Sequence, residues 1–338
     1  MSPRRIVTFA TTFGFWTLVA GTFPAPMTWP AELAPKKVMV AYTSFAPSQL
    51  WFLLEKDLGY FRQEGLIPEF VLIRGGSIAV KGLLAGNFDY MVPGGTVIDA
   101  VIRGRQPFKV LFTVEMISFW LVAQPDIRSI ADLRGKTVGI NTFGGNTEFT
   151  MREILRRNGL DPVKDMTFLV VGASNDRFNA LVSGAVHSAL LSIPGNFKAV
   201  QMGYRKLASA TDYVKWPQAG LATSEEKIRR DPDEVMKMVR ASSKGLKLML
   251  AQREYIVAKM MQMFRLSRDD AAQTYEATRD ALLPSGHLTE DQERAVISLG
   301  KQVANVTEDI PPERVFENRF IKQAEKELKG WTPAIPRQ

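Results

Sequence analysis

A chain of 338 residues with 46% hydrophobic content is long enough to bury the cores of two compact units. It has no cysteine, which excludes disulfides, cysteine metal sites, a cysteine nucleophile and a lipid-modified cysteine behind a leader. The net charge of +8 is spread among acidic residues, as in Glu225-Glu226-Lys227 and Arg229-Arg230-Asp231. No basic stripe forms, so nucleic acid is not an expected partner, while a mild positive field suits an anionic ligand as well as a solvated surface.

Along the chain, Arg4 and Arg5 precede an uncharged, mostly apolar run at 6–23, the pattern of a secretory signal. The same length would also fit an uncleaved anchor. Residues 1–35 are therefore read as signal peptide and linker, and the mature chain is expected in the periplasm. Strands are predicted at 38–42, 69–73, 90–92, 108–113 and 119–123, and helices at 49–59, 78–85 and 97–103. A second block follows, with strands at 137–140, 166–170 and 189–192 and helices at 146–157, 176–183 and after Pro194-Gly195-Asn196. Alternation of this kind implies an α/β fold with parallel strands. Beyond about Gly220 the pattern is helical, with starts at Pro232, Ser267, Thr289 and Pro311-Pro312; Thr289 to Gln292 is a capping-box signature. The methionines at 236, 238, 249, 260, 261 and 263 read as core filler in these helices.

The most informative stretch is 70–104, strand then Gly75-Gly76-Ser77 then helix, followed by strand, Gly94-Gly95-Thr96 and helix. Ser77 and Thr96 read as helix N-caps, and the glycines let backbone N–H groups approach a ligand closely. Two such turns side by side would suit an anionic or polar small molecule. Either turn alone is equally an ordinary strand-to-helix connection.

From 37 to about 328 the chain resembles the substrate-binding proteins of ABC importers for nitrate, sulfonates and thiamine precursors. The matching phrases are VAYTS at 40–44, GYFRQEGL at 59–66, RGGS at 74–77, LAGNFD at 84–89, IADLRGKTVGI at 130–140 and FENRF at 316–320. The resemblance implies a periplasmic-binding-protein-like fold of the second type, with two lobes and a ligand cleft between them. One lobe would hold 37–123 plus 223–330, the other 124–222. It further implies contacts from Ser44, Phe45 and Gln49, from Gly76 and Ser77, and from Gly94, Gly95 and Thr96 in the first lobe. The second lobe would supply Thr142, Phe143, Gly144, Gly145, Asn146 and Thr147, then Asn175 and Arg177, then Ser192 and Asn196. Each of these also serves as a plain turn or cap residue.

Glu115 sits where similar proteins line the cleft; facing inward it would favour an amine or hydroxyl donor, facing outward it would be a solvated acid. Phe45, Trp51, Met116, Phe119 and Phe143 would cover an apolar or aromatic body, although Trp51 equally suits a core. The implied function is a non-enzymatic receptor for a small organic ligand, expected to be a sulfonate- or carboxylate-like anion, acting as a monomer with an ABC permease. No cofactor and no metal site is expected, since His187 and His287 lie far apart and no zinc or nucleotide motif occurs. The alternatives are an enzyme of the same fold that makes a pyrimidine precursor, and a ligand-loaded partner of a membrane sensor.

Overall fold

The structure is a computed structural model and describes residues 35–335 except Ser44 and Pro93. The signal-peptide segment therefore lies outside the described residues. The chain opens with β1 (Lys36–Tyr42) and a 3-10 turn at Pro47–Gln49. Three single turns follow, α1 (Leu50–Leu53), α2 (Glu55–Leu58) and α3 (Tyr60–Gln63). A single helix over 49–59 is expected from the sequence. The chain instead leaves the helix at Leu54, whose ψ is 4, and Gly59, at φ +65, starts the further turn α3. Next come β2 (Leu66–Leu72), α4 (Gly76–Leu84), β3 (Tyr90–Met91), α5 (Gly94–Gly104) and β4 (Phe108–Met116).

A second block holds β5 (Trp120–Ala123), β6 (Thr137–Ile140), α6 (Asn146–Arg157), β7 (Thr167–Val170), α7 (Ser174–Val182), β8 (Ser188–Leu191), α8 (Gly195–Gln201) and β9 (Arg205–Ser209). The chain then returns through β10 (Pro217–Ser224) to a helical tail. That tail comprises α9 (Glu225–Arg230), α10 (Pro232–Ala251), α11 (Arg253–Phe264), α12 (Arg268–Ala281), α13 (Glu290–Ala304), α14 (Pro312–Val315) and α15 (Arg319–Glu327).

The strands make two five-stranded sheets, ordered β2-β1-β3-β10-β4 and β7-β6-β8-β5-β9. In the first, β1 runs parallel to β2 and β3, and β10 enters antiparallel between β3 and β4. In the second, β6 runs parallel to β7 and β8, and β5 is the antiparallel member. The chain passes from one sheet to the other at 117–119 and returns at 210–216. These segments are tied together, Ile117 N donating to Trp216 O and Ala210 N to Phe119 O, both at 2.8 Å. The lobe boundaries expected at 123 and 222 lie a few residues from these crossings. Residues 120–123 pair with β8 and β9, and 217–222 pair with β3 and β4, because each strand's ladder partners fix its sheet.

One core fills the space between the first sheet and the tail, where Trp51 packs edge-on against Phe52 and Phe112 at 4.9 and 5.4 Å. Trp51 is thus a core residue, as are the tail methionines, of which Met238, Met249 and Met260 are fully enclosed. A second core runs from α5 past Trp216 to α6. Trp216 stacks on Phe149 at 4.6 Å. The predicted helix starts are present: Asp231, Ser267 and Thr289 accept first-turn N–H groups at 3.1, 3.1 and 3.3 Å. Asp89, the last residue of the LAGNFD phrase, is a structural lock. It accepts from Met39 N and from the Lys227 ammonium, both at 2.9 Å, and so joins β1 to α9.

Candidate ligand-binding cleft

The two glycine turns lie against each other at the ends of β2 and β3. Gly75, at φ +137, occupies backbone space that side chains avoid. A Cβ on Gly76 would lie 2.6 Å from Thr96 Oγ1, and one on Gly95 would lie 2.1 Å from the Pro217 carbonyl oxygen. Only bare backbone fits at either point. Neither hydroxyl caps its helix as the sequence suggests, because α4 already begins at Gly76 and α5 at Gly94. Ser77 instead donates to the Phe143 carbonyl at 2.9 Å, bridging from the first-sheet side to the second. Thr96 is buried against Gly76.

Across from these turns is the loop after β6. Thr147 Oγ1 accepts from Asn141 N at 2.8 Å and donates to Asn141 Oδ1 at 2.7 Å, which fixes the loop. Asn146 opens α6, and its Nδ2 donates to Gln218 Oε1 of β10 at 3.2 Å, a second bridge between the sides. Ser174 opens α7 and its hydroxyl accepts from Ser192 N at 3.0 Å. Arg74 and Asp176 form a third bridge at 3.3 Å.

The first turns of α4, α5, α6 and α7 converge on one cavity of about 50 Å³, through Gly76, Thr96, Asn146, Thr147, Ser174 and Arg177. The N-cap residues Gly75, Gly145 and Ala173 make no side-chain cap. Those helix ends therefore bring positive dipole ends to a shared cavity, with the Asp176 carboxylate accepting from Ala173 N at the start of α7. Arg177 is only 3% exposed there. Its Nε donates to Leu190 O at 2.9 Å and its Nη1 to Gly172 O at 2.5 Å. No carboxylate among the described residues forms an ion pair with it; the adjacent Asp176 is engaged by Arg74 and by Ala173 N. Burial pulls its pKa down to about 10, opposed by the charge of Asp176. It stays ionised at neutral pH.

A smaller cavity of about 20 Å³ adjoins the first, sharing Gln49, Phe119, Ser192 and Gln218 with it. Glu115 lines this end and is 6% exposed, so of its two sequence readings the inward one holds. Burial pushes its pKa up to about 7, held back by hydrogen bonds from Ser48 and Ser118, the latter at 3.2 Å.

Nine of the positions named from the sequence line these two cavities: Gln49, Gly76, Thr96, Glu115, Phe119, Asn146, Thr147, Arg177 and Ser192. Others do not. Ser44 lies outside the described residues. Phe45 is exposed and rests on Phe264 at 5.0 Å. Phe143, Gly144 and Gly145 border a groove of about 440 Å³ that shares Asn146 with the larger cavity, and Asn175 borders another of about 470 Å³. Thr142 Oγ1 turns to the Phe143 carbonyl at 3.4 Å. Asn196 is fully enclosed, its Oδ1 accepting from Phe197 N at 2.7 Å. Gly94 opens α5 and Gly95 is pressed on Pro217. Sequence reasoning missed Gln218, which sits on the unpredicted strand β10, and missed Ser48, Ser118 and Ser174. Among the described residues there is no acid or histidine cluster able to hold a metal ion, and no helix long and apolar enough to cross a membrane.

Two twin-topology sheets, joined by paired crossing segments and facing each other over a cavity ringed by helix N-termini, define a periplasmic-binding-protein fold. The chain belongs to the NMT1/THI5-like family, which it matches over residues 46–255. It is 25% identical over 238 residues to the riboflavin-binding protein RibY of Chloroflexus aurantiacus, covering 66% of this chain and 64% of that protein. The chain thus spans less than two thirds of the length of the curated relatives it matches. Among solved structures it is similar to the nitrate-binding protein NrtA of Synechocystis PCC 6803, with TM-score 0.69 and 12% identity over 90% of this chain and 92% of that one. It is also similar to the aliphatic sulphonate binding protein SsuA of Escherichia coli, with TM-score 0.62 and 18% identity over 85% and 99%. The desulfurization enzyme DSZB shares the fold too, with TM-score 0.58 and 15% identity over 86% and 99%. At such identities the likeness shows the fold alone.

Proposed function

We propose that the chain is an exported solute receptor that captures a small organic anion of the sulfonate or carboxylate class and hands it to the permease of an ABC importer. One lobe is built on the first sheet and the helical tail, the other on the second sheet. They close on the ligand by bending at the paired crossing segments 117–119 and 210–216. The observation that carries this reading is the convergence of four helix N-termini and the buried Arg177 guanidinium on one cavity. An anion there meets a full charge and several backbone donors at once, and contacts both lobes only when they are together. The binding proteins among the fold relatives support the same reading.

The shared fold with a desulfurization enzyme raises catalysis as the second reading. The histidines give it little support. His187 Nδ1 accepts from Thr137 N at 3.2 Å and His287 faces Glu325 at 3.4 Å, and neither lines the two cavities. The test is a thermal-unfolding screen of the protein against organic sulfonates and carboxylates. At a ligand concentration of 100 times Kd, binding adds about 2.7 kcal/mol to the unfolding free energy and the midpoint rises by several degrees. No shift with any anion, together with no small molecule retained in native mass spectrometry of protein from its own cells, refutes the receptor reading.

A further inference from the structure

The cavities around Arg177 and Glu115, about 50 and 20 Å³, have room for an anionic headgroup and not for the body of an organic molecule. The groove of about 470 Å³ is lined by residues that neighbour theirs along the chain, on both walls. Ile193 of the inner cavity is followed by Pro194 and Gly195 of the groove, Ser174 by Asn175, and Thr278 stands one helical turn from Thr274 on α12. One wall of the groove carries Phe178 and Phe197, the other Phe264 and Thr274.

Each ring is held by a neighbour and still half-buried, with a face left over. Phe197 packs edge-on to Trp120 at 4.9 Å, Phe264 rests on Phe45 at 5.0 Å, and the Lys198 ammonium stands 5.5 Å from the Phe178 ring centre. Thr274 is 1% exposed and its hydroxyl has no hydrogen-bond partner. A buried hydroxyl left unmatched on the wall of an aromatic groove is an open recognition point. The amides of Asn175, Asn179, Gln201 and Gln273 edge the groove and offer donors and acceptors without charge.

We infer that this groove is a second compartment of the same binding site, taking a flat aromatic or heteroaromatic body whose anionic head lies by Arg177. The inference rests on the receptor reading above. Phe178, Phe197 and Phe264 cover the ring faces by offset or edge-on contact, while Thr274 and the amides address polar atoms on the ring edge. A ligand with the head alone leaves the groove to water and forgoes this contact.

The experiment is calorimetric titration of the whole protein with two sulfonates that share a headgroup, methanesulfonate and naphthalene-2-sulfonate. The wild type binds the naphthalene compound at least tenfold more tightly. Phe178→Ala and Phe264→Ala each remove most of that gain, and Phe264→Leu guards against a variant that unfolds, with melting temperatures recorded for all three. Equal affinity for the two sulfonates, or a gain that survives both alanine variants, overturns the aromatic compartment and leaves the receptor reading standing. Failure of the wild type to bind either compound overturns the aromatic compartment, while the receptor reading is decided by the wider anion screen.

Discussion

Replacing Arg177 by Gln removes the one buried cation of the inner cavity and leaves a side chain of lower reach that still donates hydrogen bonds. In the folded protein Arg177 is 3% exposed, and no carboxylate among the described residues pairs with it. Removing one partner of a desolvated, hydrogen-bonded charge pair costs roughly 2–5 kcal/mol, of which much is the burden of leaving the other charge unpaired. Kd for the anion should therefore rise by a factor between about 30 and several thousand. The same guanidinium ties Leu190 O to Gly172 O, so Arg177→Gln also loses stability, by about 1.5–3 kcal/mol for each charged hydrogen bond not recovered. Arg177→Lys separates the two effects, since it keeps the charge and gives up the planar fork. Affinity is measured by calorimetry at a temperature where circular dichroism finds every variant folded. If Arg177→Gln binds the anion within threefold of wild type, the guanidinium does not hold the headgroup and the placement of the anion is wrong.

Three further outcomes are expected. Glu115 has a folded-state pKa of about 7 against an ordinary 4.5, so the folded protein keeps a proton that the unfolded chain has released. Stability from this group is complete below about pH 4.5 and is lost as pH rises through 7, by about 3 kcal/mol in all. Glu115→Gln should flatten the difference between urea unfolding at pH 5 and at pH 8; an unchanged difference removes Glu115 as its source. Gly95→Ala puts a Cβ 2.1 Å from the Pro217 carbonyl oxygen and should cost about 1–3 kcal/mol or more, read as a lower melting temperature. A neutral result means that β10 yields without cost. Thr289→Ala breaks the reciprocal capping box with Gln292 and should cost about 1 kcal/mol in denaturant unfolding while leaving anion affinity unchanged. A change in affinity would tie α13 to the cleft.

Much of the α/β frame was legible because its punctuation is local. Glycines at Gly75, Gly86, Gly159 and Gly184 adopt positive φ where strands or helices end, and Asp231, Ser267 and Thr289 start helices through their own side chains. What escaped was decided by partners distant in sequence. β10 reads Pro217, Gln218, Ala219, Gly220, Leu221 and Ala222, too small and too mixed for a strand pattern. Its residues are small because it is wedged between β3 and β4, where a Cβ on Gly220 would lie 2.1 Å from Phe112 O. Gln218 was lost from the site with it. The crossings between sheets lie a few residues from the expected lobe boundaries, since ladder partners and not chain composition assign 120–123 and 217–222.

The site itself was legible as turn chemistry and misread in its detail, and the error is informative. Ser77 and Thr96 looked like caps, yet α4 starts one residue earlier with Gly75 at its cap and no side-chain acceptor there. α6 and α7 begin behind Gly145 and Ala173, which also lack a side-chain acceptor, although Asp176 in the first turn of α7 accepts from Ala173 N. Elsewhere the fold supplies the acceptor: Ser224, Asp231, Ser267 and Thr289 each bond a first-turn N–H. A missing cap alone decides nothing, because α11 and α15 also begin without one. The difference is convergence. The first turns of α4, α6 and α7 line one cavity that also holds the buried Arg177 guanidinium, so their positive dipole ends lie together. Sequence exposes each turn, but only the packing of two sheets brings them to a single cavity lined from both sides.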